Sequence, residues 1–147
     1  MSELTTYLQR VDRVGDPGFV FSETLDADRV TDEIASAFPG RPVFTLRANG
    51  LIPPTKDEVS ATFKNSFEGK GVLTVLVDEK MPDPVKHAIE QICKDGFLPG
   101  DDKPLKPPDG WRMVVLARVK DPGTVPGKLS ALFGALHALE NPPTSAE

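Results

Sequence analysis

Short apolar runs alternate along the chain with apolar residues at helical spacing, a pattern that predicts strands alternating with helices. Four runs predict strands, at 19–21, 42–46, 72–77 and 112–117. Helical spacing predicts five helices, at 1–14, 26–38, 55–67, 83–95 and 129–136. The run at 72–77 is uncharged throughout, as expected of a strand buried on both faces in the middle of a parallel sheet. We therefore expect a three-layer α/β domain, with an open, mainly parallel sheet between flanking helices.

Capping residues mark the ends of several predicted helices. Asp26 stands at an N-cap position, and Thr55 and Glu58 have the spacing of a capping box. Asp83 precedes a proline at the start of the fourth predicted helix and is expected to cap it, while Gly96 is expected to end it. These signals place the helix boundaries independently of the apolar pattern.

Length, charge and cysteine content mainly exclude certain partners and certain kinds of site. The 147 residues suit one domain, assigned to 1–140, followed by a flexible tail at 141–147. The formal charge of −5 argues against nucleic acid as a partner. A lone cysteine excludes an intramolecular disulfide and a cysteine-based zinc cluster. No apolar run approaches the roughly 20 residues that cross a bilayer, and no secretory signal is seen. We therefore expect no membrane insertion and a place in the cytoplasm or in a particle assembled inside the cell.

An acidic pair follows the most apolar predicted strand. Asp78 and Glu79 come directly after the run at 72–77. Open α/β sheets bind ligands at the carboxyl ends of their strands, and nucleotide hydrolases use a carboxylate there to hold magnesium. The alternative interpretation is that the two acids only mark where the strand reaches solvent. The spacing alone leaves both interpretations open.

Longer stretches of the chain resemble a known family. The segments GKGVLTVLVDEKMPDPVKHAIEQICKDG (69–96) and PPDGWRMVVLARV (107–119) resemble the core of AAA+ ATPases of the MoxR-like branch. GRPVFTLRANGLIPPTKDEV (40–59) and VPGKLSALFGAL (125–136) resemble neighbouring parts of the same core, so the resemblance covers roughly 40–135. It implies a P-loop-type fold in which Asp78 would contact magnesium and Glu79 would polarise the attacking water.

The phosphate-binding loop that this resemblance implies is degenerate. Gly15, Gly18 and Ser22 have the spacing of its first two glycines and its hydroxyl, but Val20 and Phe21 replace the third glycine and the lysine. Without those two groups the loop loses its close approach to phosphate and its positive charge. A second interpretation, which we favour, makes 19–21 the first strand, because three bulky apolar residues require burial. Both interpretations predict a defective phosphate site.

Other family elements are also altered. Arg118 falls where the family carries a polar sensor after its fourth strand, and we expect the helical lid to be missing, because few residues follow that strand. Lys70 and Lys80 are the nearby lysines able to compensate for the missing one. His87 and His137 lie on predicted helices and are expected to have structural or surface roles, and Cys93 is expected to be a buried, unreactive thiol.

These features favour a non-catalytic AAA+-like interaction or assembly module without a cofactor. Its partner would be a protein, either an active AAA+ enzyme or another copy of the chain. The first alternative is a hydrolase that binds ATP and magnesium through Asp78 and Glu79 with groups from a partner subunit. The second is a small acidic adaptor or inhibitor whose loop at 95–110 meets a basic partner.

Overall fold

Helices and strands alternate through most of the chain. The computed structural model describes residues 3–15, 17–48, 54–78, 80–98, 104–125, 133 and 136–138. The helices are α1 (Glu3–Val14), α2 (Ala27–Ala37), α3 (Lys56–Glu68) and α4 (Asp83–Asp95), with a 3₁₀ turn at Pro122–Thr124. The strands are β1 (Gly18–Phe21), β2 (Val43–Arg47), β3 (Val72–Val77), β4 (Arg112–Ala117) and β5 (Leu136–Ala138).

The described strands form a five-stranded sheet in the order β2-β3-β4-β1-β5. Every pairing is parallel. All six residues of β3 are buried, as its uncharged sequence predicts. Thr74, its one polar residue, is satisfied because its Oγ1 donates to the carbonyl of Phe44 over 3.1 Å. The predicted parallel α/β sheet is therefore confirmed.

The helices cover the two faces of this sheet and complete three layers. Leu4, Leu8, Val30 and Ile34 of α1 and α2 pack with one set of strand side chains. Val59, Phe63, Val85 and Ile89 of α3 and α4 pack with the alternate set. We call these two layers the α1–α2 face and the α3–α4 face. None of the described helices is long and apolar enough to cross a membrane.

The predicted helix caps are mostly confirmed. Asp26 accepts a hydrogen bond from the backbone of Arg29, and Thr55 and Glu58 form a reciprocal capping box. Gly96 ends α4 with a φ of 79°, a left-handed conformation that favours glycine. Asp83 is the exception, because it is the first residue of α4.

The predicted cap at Asp83 is wrong by one residue. Pro82 takes the N-cap position with extended dihedral angles and no side-chain cap. The carboxylate of Asp83 therefore acts within the first turn, where it complements the positive end of the helix dipole.

The predicted final helix is wrong at its carboxyl end. Leu136 and His137 belong to β5, which pairs with Phe19–Phe21 of β1. Pairing with the backbone of β1 outweighs the helical spacing of the apolar side chains. The ring of His137 also stacks on Tyr7 of α1 with centroids 5.1 Å apart. Leu129, Leu132 and the predicted tail at 141–147 lie outside the described residues.

Candidate functional site

Three predicted site residues directly follow neighbouring strands at the end of the sheet where the strands finish. Phe21, Ala117 and Val77 are in register as the last residues of β1, β4 and β3. The ladder continues one step further, because the amide of Ser22 donates to Ala117 O over 3.1 Å and that of Arg118 to Val77 O over 3.0 Å. We call this end, where Ser22, Arg118 and Asp78 follow neighbouring strands, the carboxyl edge. Parallel α/β sheets bind ligands at this edge.

Asp78 lies directly after β3, at the position that the sequence predicts. Its side chain is half-buried, and Oδ1 accepts a 2.8 Å hydrogen bond from the backbone of Lys80. This bond tightens the turn into α4 and leaves the other carboxylate oxygen for a further contact. Glu79 lies outside the described residues. The roles of Asp78 in holding magnesium and of Glu79 in catalysis remain predictions.

Gly15, Gly18 and Ser22 do not form one loop. Gly15 ends α1, Gly18 begins β1 beside Val114 of β4, and Ser22 lies at the other end of the strand. The strand therefore separates the two glycines from the carboxyl edge. The interpretation of 19–21 as the first strand is confirmed, since β1 spans Gly18–Phe21 and its first three residues are buried.

The connection from β1 to α2 occupies the position that a phosphate loop takes in P-loop folds. Such a loop follows a strand and opens a helix, so that phosphate meets the helix N-terminus. Here the connection is Ser22-Glu23-Thr24-Leu25-Asp26, without glycine or lysine. The amide of Thr24 bonds Ser22 Oγ over 3.2 Å, and Leu25 is buried in the core.

Asp26 places a carboxylate at the N-terminus of α2. Its Oδ1 accepts a 3.3 Å hydrogen bond from the backbone amide of Arg29. A bound phosphate would take the amides at this position and would experience the same favourable dipole. The chain therefore supplies its own anion where a nucleotide would place one.

The sheet has its topological switch point between β1 and β4. From β1 the chain leaves along the α1–α2 face, whereas beyond β4 Val119 and Val125 pack on the α3–α4 face. Adjacent strands whose connections leave on opposite faces define a crevice at their carboxyl ends, which is the preferred ligand position in such folds. Arg118 reaches across this crevice, because its Nε donates to the carbonyl of Leu25 over 3.2 Å. We call this space the β1–β4 crevice.

Sequence reasoning missed the role of the β1–α2 connection. It located a degenerate loop by glycine spacing, treated Asp26 only as a helix cap and did not consider Glu23. The available signal was the short distance between the apolar run at 19–21 and the cap at Asp26, which leaves no room for a glycine-rich cradle.

The two lysines suggested as substitutes lie at different ends of the sheet. Lys70 precedes β3 and therefore lies at the end of the sheet where the strands begin, which we call the amino edge, away from Asp78. Its backbone has a φ of 52°. It cannot serve a ligand at the carboxyl edge. Lys80 is exposed in the turn that follows β3, and its backbone bonds the carboxylate of Asp78. Of the two, only Lys80 fits the suggestion.

The remaining candidate residues have structural surroundings. His87 lies on α4 beside a shallow groove of about 360 Å³ between α3 and α4, next to Glu90 and Lys94. His137 lies in the strand β5, not in a helix, and its ring stacks on that of Tyr7 in α1. Burial raises the pKa of the Cys93 thiol to about 11, which opposes nucleophilic reactivity. Among the described residues, no group of three His, Cys, Asp or Glu side chains is placed to hold a metal ion.

Comparison with known proteins shows the fold. No protein-family model matches the chain, and no curated protein matches it. A point variant of Thermotoga maritima RuvB superposes with a TM-score of 0.66 at 14% identity, covering 93% of this chain and 44% of that one. The T. maritima RuvB Holliday junction branch migration motor gives 0.63 at 15%, covering 94% and 43%.

RuvB is an AAA+ ATPase, so the chain has an AAA+-like fold and spans less than half the length of these RuvB chains. The identity is low enough that the likeness concerns the fold alone.

Proposed function

We propose that the chain is a non-catalytic AAA+-like module, related to the MoxR-like branch, that acts through protein–protein contacts as a subunit of a larger assembly. Its partner is an active AAA+ protein or another copy of the chain. The observation that carries the proposal is the β1–α2 connection, in which Asp26 caps the helix that would otherwise receive a phosphate.

Electrostatics at this connection oppose a triphosphate. A phosphate site needs converging amides and a lysine, and a fixed negative charge at the same place repels the phosphate. Glu23 and Asp26 bring two carboxylates within one five-residue connection that contains no basic residue. Arg118, which directly follows the strand beside β1, already donates to Leu25 O. The residues present therefore do not fit ATP.

The preserved core is consistent with a role as a scaffold. Both faces of the sheet bury continuous apolar clusters, and β3 and β4 are packed along their length. A chain retained for its surface needs this rigidity and does not need the nucleotide. The proposal therefore involves neither cofactor nor nucleic acid.

Calorimetric titration with ATP and magnesium tests the non-catalytic part of the proposal. We expect no binding heat for the unaltered protein. Micromolar binding that disappears in Asp78→Asn, and survives in the matched control Asp83→Asn, would overturn the proposal.

That second result would favour the alternative function. Asp78 follows a fully buried central strand with one carboxylate oxygen unused by the Lys80 turn, which is the placement that a magnesium-dependent hydrolase requires. ATP and magnesium would then be cofactors, with the missing positive charge supplied by Lys80 or by a partner subunit.

Light scattering coupled to size exclusion tests the assembly part. We expect a defined oligomer, or a defined complex when a purified AAA+ protein encoded beside this chain is added. A strict monomer that forms no such complex would contradict the proposal even if the titration shows no nucleotide binding.

A further inference from the structure

We propose that Arg118 is a strap that closes the β1–β4 crevice from within. Arg118 is the first residue after β4, and its side chain is hydrogen-bonded to Leu25 in the β1–α2 connection. This bond crosses the position where an open α/β sheet binds its ligand. The inference deepens the proposed function and rests on it for its meaning, because a side chain that spans the crevice stands where a nucleotide would bind. Its test measures access to the crevice and not nucleotide binding, so either proposal can fail alone.

Both ends of the strap are fixed by the core. At one end, the backbone amide of Arg118 continues the sheet ladder to Val77 O over 3.0 Å, so the side chain starts from a rigid point. At the other end, Leu25 is 3% exposed and packs in the cluster of the α1–α2 face. Its carbonyl oxygen is therefore held in position to accept the 3.2 Å hydrogen bond from Nε.

The strap has a definite geometry that lysine cannot reproduce. The donor is the Nε–H of a planar guanidinium, whereas the nitrogen of lysine lies at the end of a longer flexible stem. The two residues lie 93 positions apart, so the bond joins two segments that are separate in the chain. A hydrogen bond from a charged donor to a carbonyl is stronger than one between two neutral groups. Because the Arg118 side chain is exposed, water weakens this bond.

Ser22 reports whether the crevice is closed. Ser22 directly follows β1, as Arg118 directly follows the neighbouring strand β4, and only 8% of Ser22 is exposed. A thiol introduced there by Ser22→Cys, in a chain that also carries Cys93→Ala, should react slowly with a maleimide while the crevice is closed, because little of residue 22 is exposed. Ala88→Cys in the same background is the matched reporter on the opposite face, since Ala88 is 7% exposed in α4.

Arg118→Ala should raise the labelling rate of the thiol at position 22 by about three- to tenfold, the factor expected for loss of one such hydrogen bond. The rate at position 88 should stay unchanged, and Lys120→Ala, which removes a nearby exposed cation, should alter neither rate. Arg118→Lys should open the crevice as alanine does, because it keeps the charge and loses the Nε donor.

Three results would overturn the strap. An unchanged rate at position 22 in Arg118→Ala would show that the bond does not close the crevice. Equal increases in the labelling rate at positions 22 and 88 would show that Arg118→Ala acts through global unfolding. Full protection in Arg118→Lys would show that charge alone suffices.

Discussion

The indole Nε1 of Trp111 donates a 2.9 Å hydrogen bond to Oγ of Ser66, a serine with no exposed surface on α3. That hydroxyl in turn donates to the carbonyl of Phe63 over 2.7 Å. The indole also packs edge-on against Phe67 with ring centroids 4.9 Å apart. Trp111 thus fixes α3 to the start of β4 by a polar and an aromatic contact.

Ser66→Ala should lower the free energy of unfolding by about 1–3 kcal/mol, because it leaves the indole N–H buried without its acceptor. Trp111→Phe removes the donor as well as part of the ring, so the double variant should lose less than the sum of the two single variants. Urea unfolding of all four proteins measures this coupling. Strict additivity would show that the hydrogen bond contributes nothing beyond packing.

Close packing at the amino edge gives a second prediction, at Gly71. A Cβ at this position would fall against the carbonyl oxygen of Pro42 and lie 2.7 Å from Cε1 of Phe44. The same carbonyl accepts the 2.9 Å bond from the amide of Val72 that aligns β2 with β3. Gly71→Ala should therefore cost about 1–3 kcal/mol of unfolding free energy through forced displacement of backbone.

Gly40→Ala is the matched comparison for Gly71→Ala. Gly40 has a φ of 81°, and a Cβ there would meet nothing within 4 Å. The cost of Gly40→Ala is conformational and should be about 1 kcal/mol. Chemical denaturation should rank Gly71→Ala as the more damaging change, and the reverse order would contradict the packing explanation.

The sequence predicts most of the fold because most elements carry redundant signals. The strand at 72–77 is apolar and uncharged, and α3 has both an apolar stripe and a capping box at Thr55 and Glu58. By contrast, β5 has three residues, too few to show a period of two, and Leu136 also fits the helical spacing of the residues before it. Its strand conformation depends on pairing with β1, a tertiary interaction.

The carboxyl edge could be predicted only in part for a related reason. Asp78 directly follows a recognisable strand, so its placement is a local property of the sequence. The bond between Arg118 and the carbonyl of Leu25 depends on β1 and β4 being neighbours, which the order of elements along the chain does not specify. The spacing of Gly15 and Gly18 is that of a phosphate loop, but β1 begins at Gly18 and runs away from both glycines. They therefore lie at the amino edge and not at the carboxyl edge.

Cys93 should be a slow thiol in the folded protein. Burial raises its pKa to about 11 from 9.0, so the thiolate that reacts is rare at pH 8. The lower thiolate fraction alone makes alkylation about a hundredfold slower than for a thiol with the ordinary pKa. The rate should keep rising with pH through 10, and labelling in urea should proceed at the ordinary rate. A native rate that levels off near pH 9 would contradict the raised pKa.

Tyr7 should make stability fall at alkaline pH. Its hydroxyl accepts a 2.9 Å bond from the amide of Phe19, and burial raises its pKa above 10.0 in spite of opposing contributions from the Phe19 backbone and from Arg10. Because the pKa is raised by folding, the neutral hydroxyl stabilises the fold fully below pH 10, and this contribution is lost as pH rises past 10. Tyr7→Phe removes the bond and the titration together.

Tyr7→Phe should therefore be about 1–2 kcal/mol less stable than the unaltered protein at pH 7, where the amide of Phe19 loses its acceptor. The difference should narrow at pH 10.5, because only the unaltered protein then gains from unfolding by ionising the tyrosine. Urea unfolding of both proteins at the two pH values measures the change, with Cys93→Ala present in both so that the thiol does not titrate. A difference that stays constant would mean that Tyr7 does not lose a proton more readily in the unfolded chain, contrary to the burial of its hydroxyl against β1.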